Sequence, residues 1–367
     1  MVFWVILAIL LRCSIWHLQC GGYCDIIYYM YDFIPIHFCE EISFMKHIFI
    51  YNPTAGGDNS KRIAALQEKM KTDYAELQYE FYPTKAEKDA TDYVRARCLA
   101  EPDEKMRFYA CGGDGTANEV LHGIVGFENA SMTCFPCGSG NDYVKYYGGA
   151  ARFLDIDALI AAEEKVVDIM RVNDRYSINV TNFGFDTVVA QTMHHVRHKK
   201  VIGGKHAYTT GIVKALFTAM KNDCTVWVDG EKLNDGKMLL CTVSNGRYVG
   251  GAYCCAPHAQ NDDGLLDICL VKPLSRLTLV KLIGAYKAGR HLEDPRFKNL
   301  ITYRRGKSVR VVAGENFGYT LDGEVVSCSD FTIEICPGAV RFAVPAQKPA
   351  SCDCDEKTPA TPETVTV

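Results

Sequence analysis

The sequence lacks the two most familiar nucleotide-binding signatures. No GxxxxGK[ST] run occurs and no GxGxxG follows a strand, so neither a Walker-type loop nor a dinucleotide fold is supported. It lacks a basic balance as well. Lys and Arg total 40 against 44 Asp and Glu, a net charge of −4, which leaves no electrostatic footprint for a nucleic-acid partner. Long apolar stretches are also scarce. The run Met1 to Leu11 covers about 16 Å as a helix, roughly half of a bilayer core, before Arg12 ends it. No positive region precedes that run and no small-residue cleavage site follows it, a poor match to a secretory signal. Cysteine is plentiful at 17 residues, but Cys13 to Cys354 are scattered and show neither a compact disulfide framework nor zinc-finger spacing. They read as reduced thiols in a cytosolic protein.

What is present is an ordinary globular composition, 48% hydrophobic and 23% charged, in a chain of 367 residues that is long enough for two domains. Residues 1–44 show no clear period and read as an extension dispensable to the fold, because Met45 directly precedes a regular strand; a membrane-associating segment is the alternative. From Lys46 the pattern becomes strand, glycine turn, helix. His47 to Tyr51 leads into NPTAGG (Asn52 to Gly57) and a helix with Ile63, Leu66 and Met70 on its apolar face. Leu77 to Tyr82 predicts a second strand, Ala86 to Leu99 a second helix, and Met106 to Ala110 a third strand feeding GGDGTANE (Gly112 to Glu119). Met132 to Phe135 feeds PCGSGND (Pro136 to Asp142), whose Asn141 and Asp142 are candidate caps for a short helix. Such alternation predicts an α/β domain with a mainly parallel sheet, in which ligands sit beyond the carboxyl ends of the strands.

Each turn alone is only a tight βα connection. Three polar glycine turns on one sheet edge suggest more, because glycines leave backbone N–H groups open to a phosphate. Asp114 fits that reading if a divalent cation lies between its carboxylate and the phosphates.

NPTAGG, GGDGTANE and PCGSGNDY, in this order and spacing, resemble the catalytic domain of the diacylglycerol kinase family, the soluble bacterial lipid kinases in particular, with sphingosine kinases more distant. The resemblance covers about residues 45–345. Ala55 stands where the family usually has Ser, and Ser139 where it usually has Thr. The resemblance implies ATP with Mg²⁺ as cofactors and a nucleotide site lined by Asn52, Thr54, Gly56, Thr84, Gly113, Gly115, Thr116, Asn118, Glu119 and Ser139.

After Val166 the texture changes to short alternating strands with hairpin turns, interrupted by helical runs at Phe185 to Val196 and Ala207 to Lys221. A second, mainly antiparallel β domain is predicted over residues 168–326. The first comprises 45–167 plus about 327–346, the returning chain end being implied by the resemblance. Arg197 to Lys200, after His194 and His195, read as a solvated charged patch or as a membrane-facing one. In Ala256 to Asp267, Asp262 and Asp267 with an intervening carbonyl offer hard oxygen ligands to Mg²⁺, or simply form an acidic turn. The resemblance names the carbonyl as that of Leu265.

Two DGE triplets read as type I′ turns, Asp229 to Glu231 and Asp322 to Glu324. The second sits where the family carries its catalytic carboxylates. Asp322 is the expected base, Glu324 its competitor, and Asp114 acts through magnesium. Residues 347–367, rich in Pro, Thr, Asp and Glu, are expected to be disordered. The implied activity is phosphorylation of a diacylglycerol-like lipid hydroxyl by a cytoplasmic, transiently membrane-associated enzyme, with a homodimer allowed. Alternatives are another lipid alcohol, a sphingoid base, a soluble polyol, or a nucleotide-binding regulator without catalysis.

Overall fold

The computed structural model describes residues 45–53, 59–138, 140–196, 206–315 and 317–347. Thr54, Gly56, Ser139, Arg197 to Lys200, the 1–44 extension and the tail from residue 348 lie outside the described residues.

The first half alternates β1 (Lys46–Tyr51), α1 (Asn59–Asp73), β2 (Tyr79–Pro83), α2 (Asp89–Ala100), β3 (Met106–Gly112), α3 (Asp114–Ile124) and β4 (Ala130–Pro136). Every residue of β3 and β4 is buried, as a parallel sheet covered on both faces requires. Helix α2 starts three residues later than the sequence suggests, because Lys88 takes φ +67° and cannot belong to it. A 3₁₀ turn (Tyr143–Tyr147) and the short helices α4 (Ala150–Phe153) and α5 (Ile156–Ile160) follow.

The second half contains β5 (Glu163–Val172), β6 (Arg175–Ser177), β7 (Val180–Gly184), α6 (Phe185–Val196) and α7 (Ala207–Thr218). Next come β8 (Asn222–Val228), β9 (Glu231–Lys232), β10 (Lys237–Met238), β11 (Leu240–Ser244), β12 (Tyr248–Val249) and β13 (Tyr253–Cys254). The chain continues through β14 (Leu266–Val271), α8 (Arg276–Lys287), β15 (Ile301–Gly306), β16 (Ser308–Ala313), β17 (Gly318–Leu321), β18 (Glu324–Ser327) and β19 (Asp330–Val344). Helix α8 has no counterpart in the sequence reading. Its apolar residues fall on all sides, Leu279, Leu282 and Ala285 inward but Leu277 and Val280 outward, which hides the helical period.

Strands β2-β1-β3-β4 form the parallel sheet in that order, with β19 joining the far side of β4 at Phe342 and Met132. Strand β19 then runs antiparallel to β5 and β16, and β16 to β8, so one mixed sheet of eleven strands passes through both halves. A division at residues 167/168 and 326/327 cuts this sheet, because β8 and β16 hydrogen-bond into it from the middle of the chain. A second sheet, β15-β14-β11-β7-β17-β18, is antiparallel throughout. The two sheets enclose a core that includes Met170, Phe183, Val226, Val243, Ile268, Val309, Tyr319 and Ile333. The other face of the second sheet is covered by α6, α7 and α8, through Phe185, Val189, Ala215, Leu279 and Leu282 against Leu240 and Val271. The architecture is therefore an N-terminal α/β part with a mainly parallel sheet and a C-terminal antiparallel β part.

Candidate active site

The turns after β1, β3 and β4 fall on the carboxyl edge of the parallel sheet. There the Thr84 N–H donates to the Tyr51 carbonyl at 2.8 Å, setting Thr84 beside Asn52. The second and third turns touch. Cys137 and Gly138 both donate their N–H to the Gly112 carbonyl, at 2.9 and 3.1 Å. A Cβ on Gly138 would lie 2.4 Å from Gly113 Cα, so only glycine allows the two backbones to approach this closely. Gly112 is fixed likewise: a Cβ there would meet Thr116 Oγ1 at 2.2 Å.

Asp114 begins α3 and points at the third turn, its Oδ1 accepting the Asp142 N–H at 2.7 Å. Burial, and then the charge of Asp142, push its carboxyl up to about 7. Asp142 stands at the head of the 3₁₀ turn without capping it through its side chain. Instead its carboxylate pairs with Lys145 and accepts the Gly251 N–H, while Lys145 also donates to the Gly140 and Gly251 carbonyls at 2.8 Å. From sequence Asp142 is only a candidate cap and Lys145 carries no role; the spacing Asp-x-x-Lys on a helical turn is the signal for their pairing.

Both DGE turns have positive φ at their two central residues, Asp229 (+50°) with Gly230 (+85°) and Asp322 (+47°) with Gly323 (+95°), as type I′ geometry requires. Asp229 pins the N–H groups of Lys307 and Ser308 and is a structural turn. Asp322 is saturated. Its Oδ1 accepts from Ser177 Oγ at 2.6 Å, Val180 N–H at 3.0 Å and Asn179 N–H at 3.2 Å. Its Oδ2 accepts from Asn118 Nδ2 at 2.9 Å and Ile178 N–H at 3.1 Å. A carboxylate holding five donors has no vacant lone pair for a substrate proton. Glu324 is different. Its side chain reaches solvent, a Cβ on Gly115 would lie 3.7 Å from its Oε1, and desolvation followed by Glu119 and Glu87 holds its pKa above the usual carboxylate range.

Asn118 and Glu119 have structural partners. Buried Asn118 donates to Asp322 and to the Tyr176 carbonyl at 3.0 Å; Glu119 Oε2 accepts the Ala90 N–H at 3.3 Å, beneath the first turn of α2. His122 joins the same link. The Tyr176 N–H donates to its Nε2 at 3.0 Å, which leaves Nδ1 as the donor to the Asn118 carbonyl at 2.9 Å.

A cavity of about 690 Å³ opens at Asp114, Asp142 and Asp322. It continues between the second sheet and its helices, lined there by Phe185, Val189, Met193, Ile212, Leu279 and Ile283. Asn182 and Asp186 stand on its wall; Asn182 Oδ1 is buried without a hydrogen-bond partner, and burial pushes the Asp186 carboxyl up to about 6. Such volume, with polar groups at one end and apolar side chains at the other, suits an amphipathic ligand.

Asp262 and Asp267 lie far along the chain from these turns, at the start of β14. Asp262 is exposed. Buried Asp267 accepts from Tyr303 Oη through Oδ1, and its Oδ2, 3.6 Å from Arg305 Nε, has no hydrogen-bond partner. Among the described residues no group of three or more His, Cys, Asp or Glu side chains gathers as a metal cluster, and the expected set contributes only two. Among the same residues no helix is long and apolar enough to cross a membrane.

The diacylglycerol kinase catalytic domain matches residues 46–172, and the YegS C-terminal NAD kinase beta sandwich-like domain matches residues 179–344. A diacylglycerol kinase of Bacillus subtilis (strain 168) is 29% identical over 279 residues, covering 75% of this chain and 88% of that one. A probable lipid kinase YegS-like of Pseudomonas aeruginosa PAO1 is 30% identical over 244 residues, covering 65% of this chain and 77% of that one. The crystal structure of a diacylglycerol kinase from Bacillus anthracis str. Sterne superposes with a TM-score of 0.57 over 82% of this chain and 96% of that one, at 22% identity, and shows the shared fold. With both domains matched in order and its relatives spanned over more than three-quarters of their length, the chain belongs to the diacylglycerol kinase catalytic-domain family of lipid kinases.

Proposed function

We propose that this lipid kinase transfers the γ-phosphate of ATP to the hydroxyl of a diacylglycerol, giving phosphatidic acid. The observation that carries the reading is the cavity, which runs from the carboxylates of the glycine turns into an apolar chamber. The glycine turns would cradle the phosphates, with Asn52, Thr84, Gly113, Gly115 and Thr116, and with Thr54, Gly56 and Ser139 from outside the described residues. Glu324 takes the hydroxyl proton as oxygen attacks phosphorus and the bond to ADP breaks. Asp322 acts as a positioning residue, because its five donors fix the hairpin that carries Glu324. Asp114 and Asp142 fit a cation: both are close, and among the described residues Lys145 is the cation that offsets them. Magnesium travelling with ATP would offset their charge and that of the phosphates. Asp267 Oδ2 accepts no hydrogen bond but lies 3.6 Å from Arg305 Nε, so a separate structural Mg²⁺ held with Asp262 and the Leu265 carbonyl would have to displace that guanidinium.

A second reading, with a sphingoid base or other lipid alcohol as acceptor, is favoured by the unpartnered Asn182 Oδ1 and by Asp186. Both residues line the cavity, and an acceptor with an amine or a second hydroxyl offers them donors that a diacylglycerol, with its single hydroxyl, does not. The test uses purified full-length protein, γ-labelled ATP and magnesium with detergent-dispersed dioleoylglycerol, sphingosine or glycerol. Labelled phosphatidic acid supports the first reading, label on sphingosine alone replaces it with the second, and label on glycerol alone overturns both.

A further inference from the structure

We infer that the outer faces of α7 and α8 form the surface on which the protein settles against an anionic bilayer. The inference rests on the reading that the cavity takes a lipid. These two helices wall that cavity from within, through Ile212, Leu279, Leu282 and Ile283. Their outward faces are apolar too. Phe217 is 73% exposed and Val213 49%, one turn apart on α7; Leu277 is 79% exposed and Val280 60%, on one face of α8.

Exposed large apolar side chains this concentrated mark an interaction site rather than ordinary surface. Arg276 joins the two faces. Its Nε donates to the Leu216 carbonyl at 2.7 Å and its guanidinium lies 5.7 Å from the Phe217 ring, so the apolar pairs meet where the helices do. Charge selects the occupant. Neither helix contains Asp or Glu, although the chain carries 44 of them, while Lys214, Arg276, Lys281 and Lys287 are exposed on them. Exposed apolar side chains that share two helices with cations and no acidic residue complement an acyl surface under anionic headgroups. A lipid drawn from that surface would reach the chamber by passing α7 and α8 alone, without crossing water.

The experiment measures sedimentation of the full-length protein with vesicles of phosphatidylglycerol and phosphatidylcholine, and turnover of dioleoylglycerol presented in vesicles or in detergent micelles. The double variant Phe217→Ser, Leu277→Ser should lower vesicle partitioning and vesicle turnover on the order of tenfold, given the apolar area removed, and leave micelle turnover and the thermal midpoint nearly unchanged. Lys214→Gln with Lys281→Gln should weaken binding and flatten its salt dependence. As an independent readout, Phe217→Trp should gain quenching by brominated lipid over the wild-type background. Unchanged partitioning of the double variant, or no added quenching of the tryptophan, overturns the inference. So does conversion of a dimer to a monomer with vesicle binding intact, which would assign the face to a second copy. A wild-type enzyme active on micelles but unable to bind vesicles sinks the docking surface alone; lack of lipid turnover in both formats, with vesicle binding retained, sinks the substrate reading alone.

Discussion

Asn118 donates from Nδ2 to Asp322 Oδ2 over 2.9 Å, joining residues 204 positions apart. The donor lies on the helix that begins with the GGDGT turn, and the acceptor opens the hairpin that carries Glu324. One buried amide therefore sets the spacing between the GGDGT turn and the carboxylate proposed as base. Lys145 makes a second tie, from the third glycine turn to Gly251.

The division of labour between the two carboxylates separates by experiment. Glu324→Gln should lower turnover by 10²- to 10⁴-fold and leave ATP affinity and the thermal midpoint close to wild type. Asp322→Asn should lower both, because its amide cannot accept all five hydrogen bonds; a stability loss of about 2–4 kcal/mol is expected. Isothermal titration with ATP, beside a thermal melt, checks both. Near-normal turnover of Glu324→Gln would return the role of base to Asp322.

Gly140 lies against Asp114. A Cβ there would stand 2.4 Å from Asp114 Oδ2, so Gly140→Ala must displace that carboxylate. Turnover should fall on the order of a hundredfold, while the melt moves by only a few degrees. Saturating magnesium should recover part of the loss if the carboxylate acts through a cation.

Asp114 also predicts a pH dependence of stability without nucleotide. Its carboxyl is held up at about 7 against an ordinary 3.8, so between these values the folded chain keeps a proton that the unfolded chain releases. Stability from this group is full below pH 4 and is lost as pH rises through 7. Allowing for solvent screening, the loss amounts to about 2–4 kcal/mol. Asp114→Asn should remove this slope and melt higher than wild type at pH 8; a steeper or unchanged slope counts against the assignment.

On the proposed reading, the apolar chamber sets a limit on acyl-chain length. Ile283→Trp adds volume inside it and should raise KM for dioleoylglycerol roughly tenfold, with dihexanoylglycerol affected less than about twofold. Overpacking should destabilise the fold by about 1–3 kcal/mol. Equal effects on both acceptors would mean that the acyl chains lie elsewhere.

Much of the fold was legible because periodicity carried it. The parallel strands, both DGE turns and the boundaries of α6 follow from alternation and turn chemistry within a few residues of each other. Helix α8 was not legible, since Leu277 and Val280 face outward and spoil the apolar stripe. At the site, the glycine turn singles out Asp114, and the family resemblance singles out Asp322 and Glu324 as candidates. The competing demands on them were not: Asp322 meets Ser177, Asn179 and Val180 only after the chain has folded across some 140 positions. Asn118 and Glu119 share a motif with Asp114, yet packing commits them to holding Asp322 and the first turn of α2.

Strand β19 has a consequence for how the protein is made. Without β19, β4 would be an open sheet edge, β5 would keep β6 alone and β16 would keep β8 alone. The N-terminal α/β part therefore stays incomplete until β19 is in place, even though most of its sequence comes first. Strand β19 closes both halves together, so neither is complete without it.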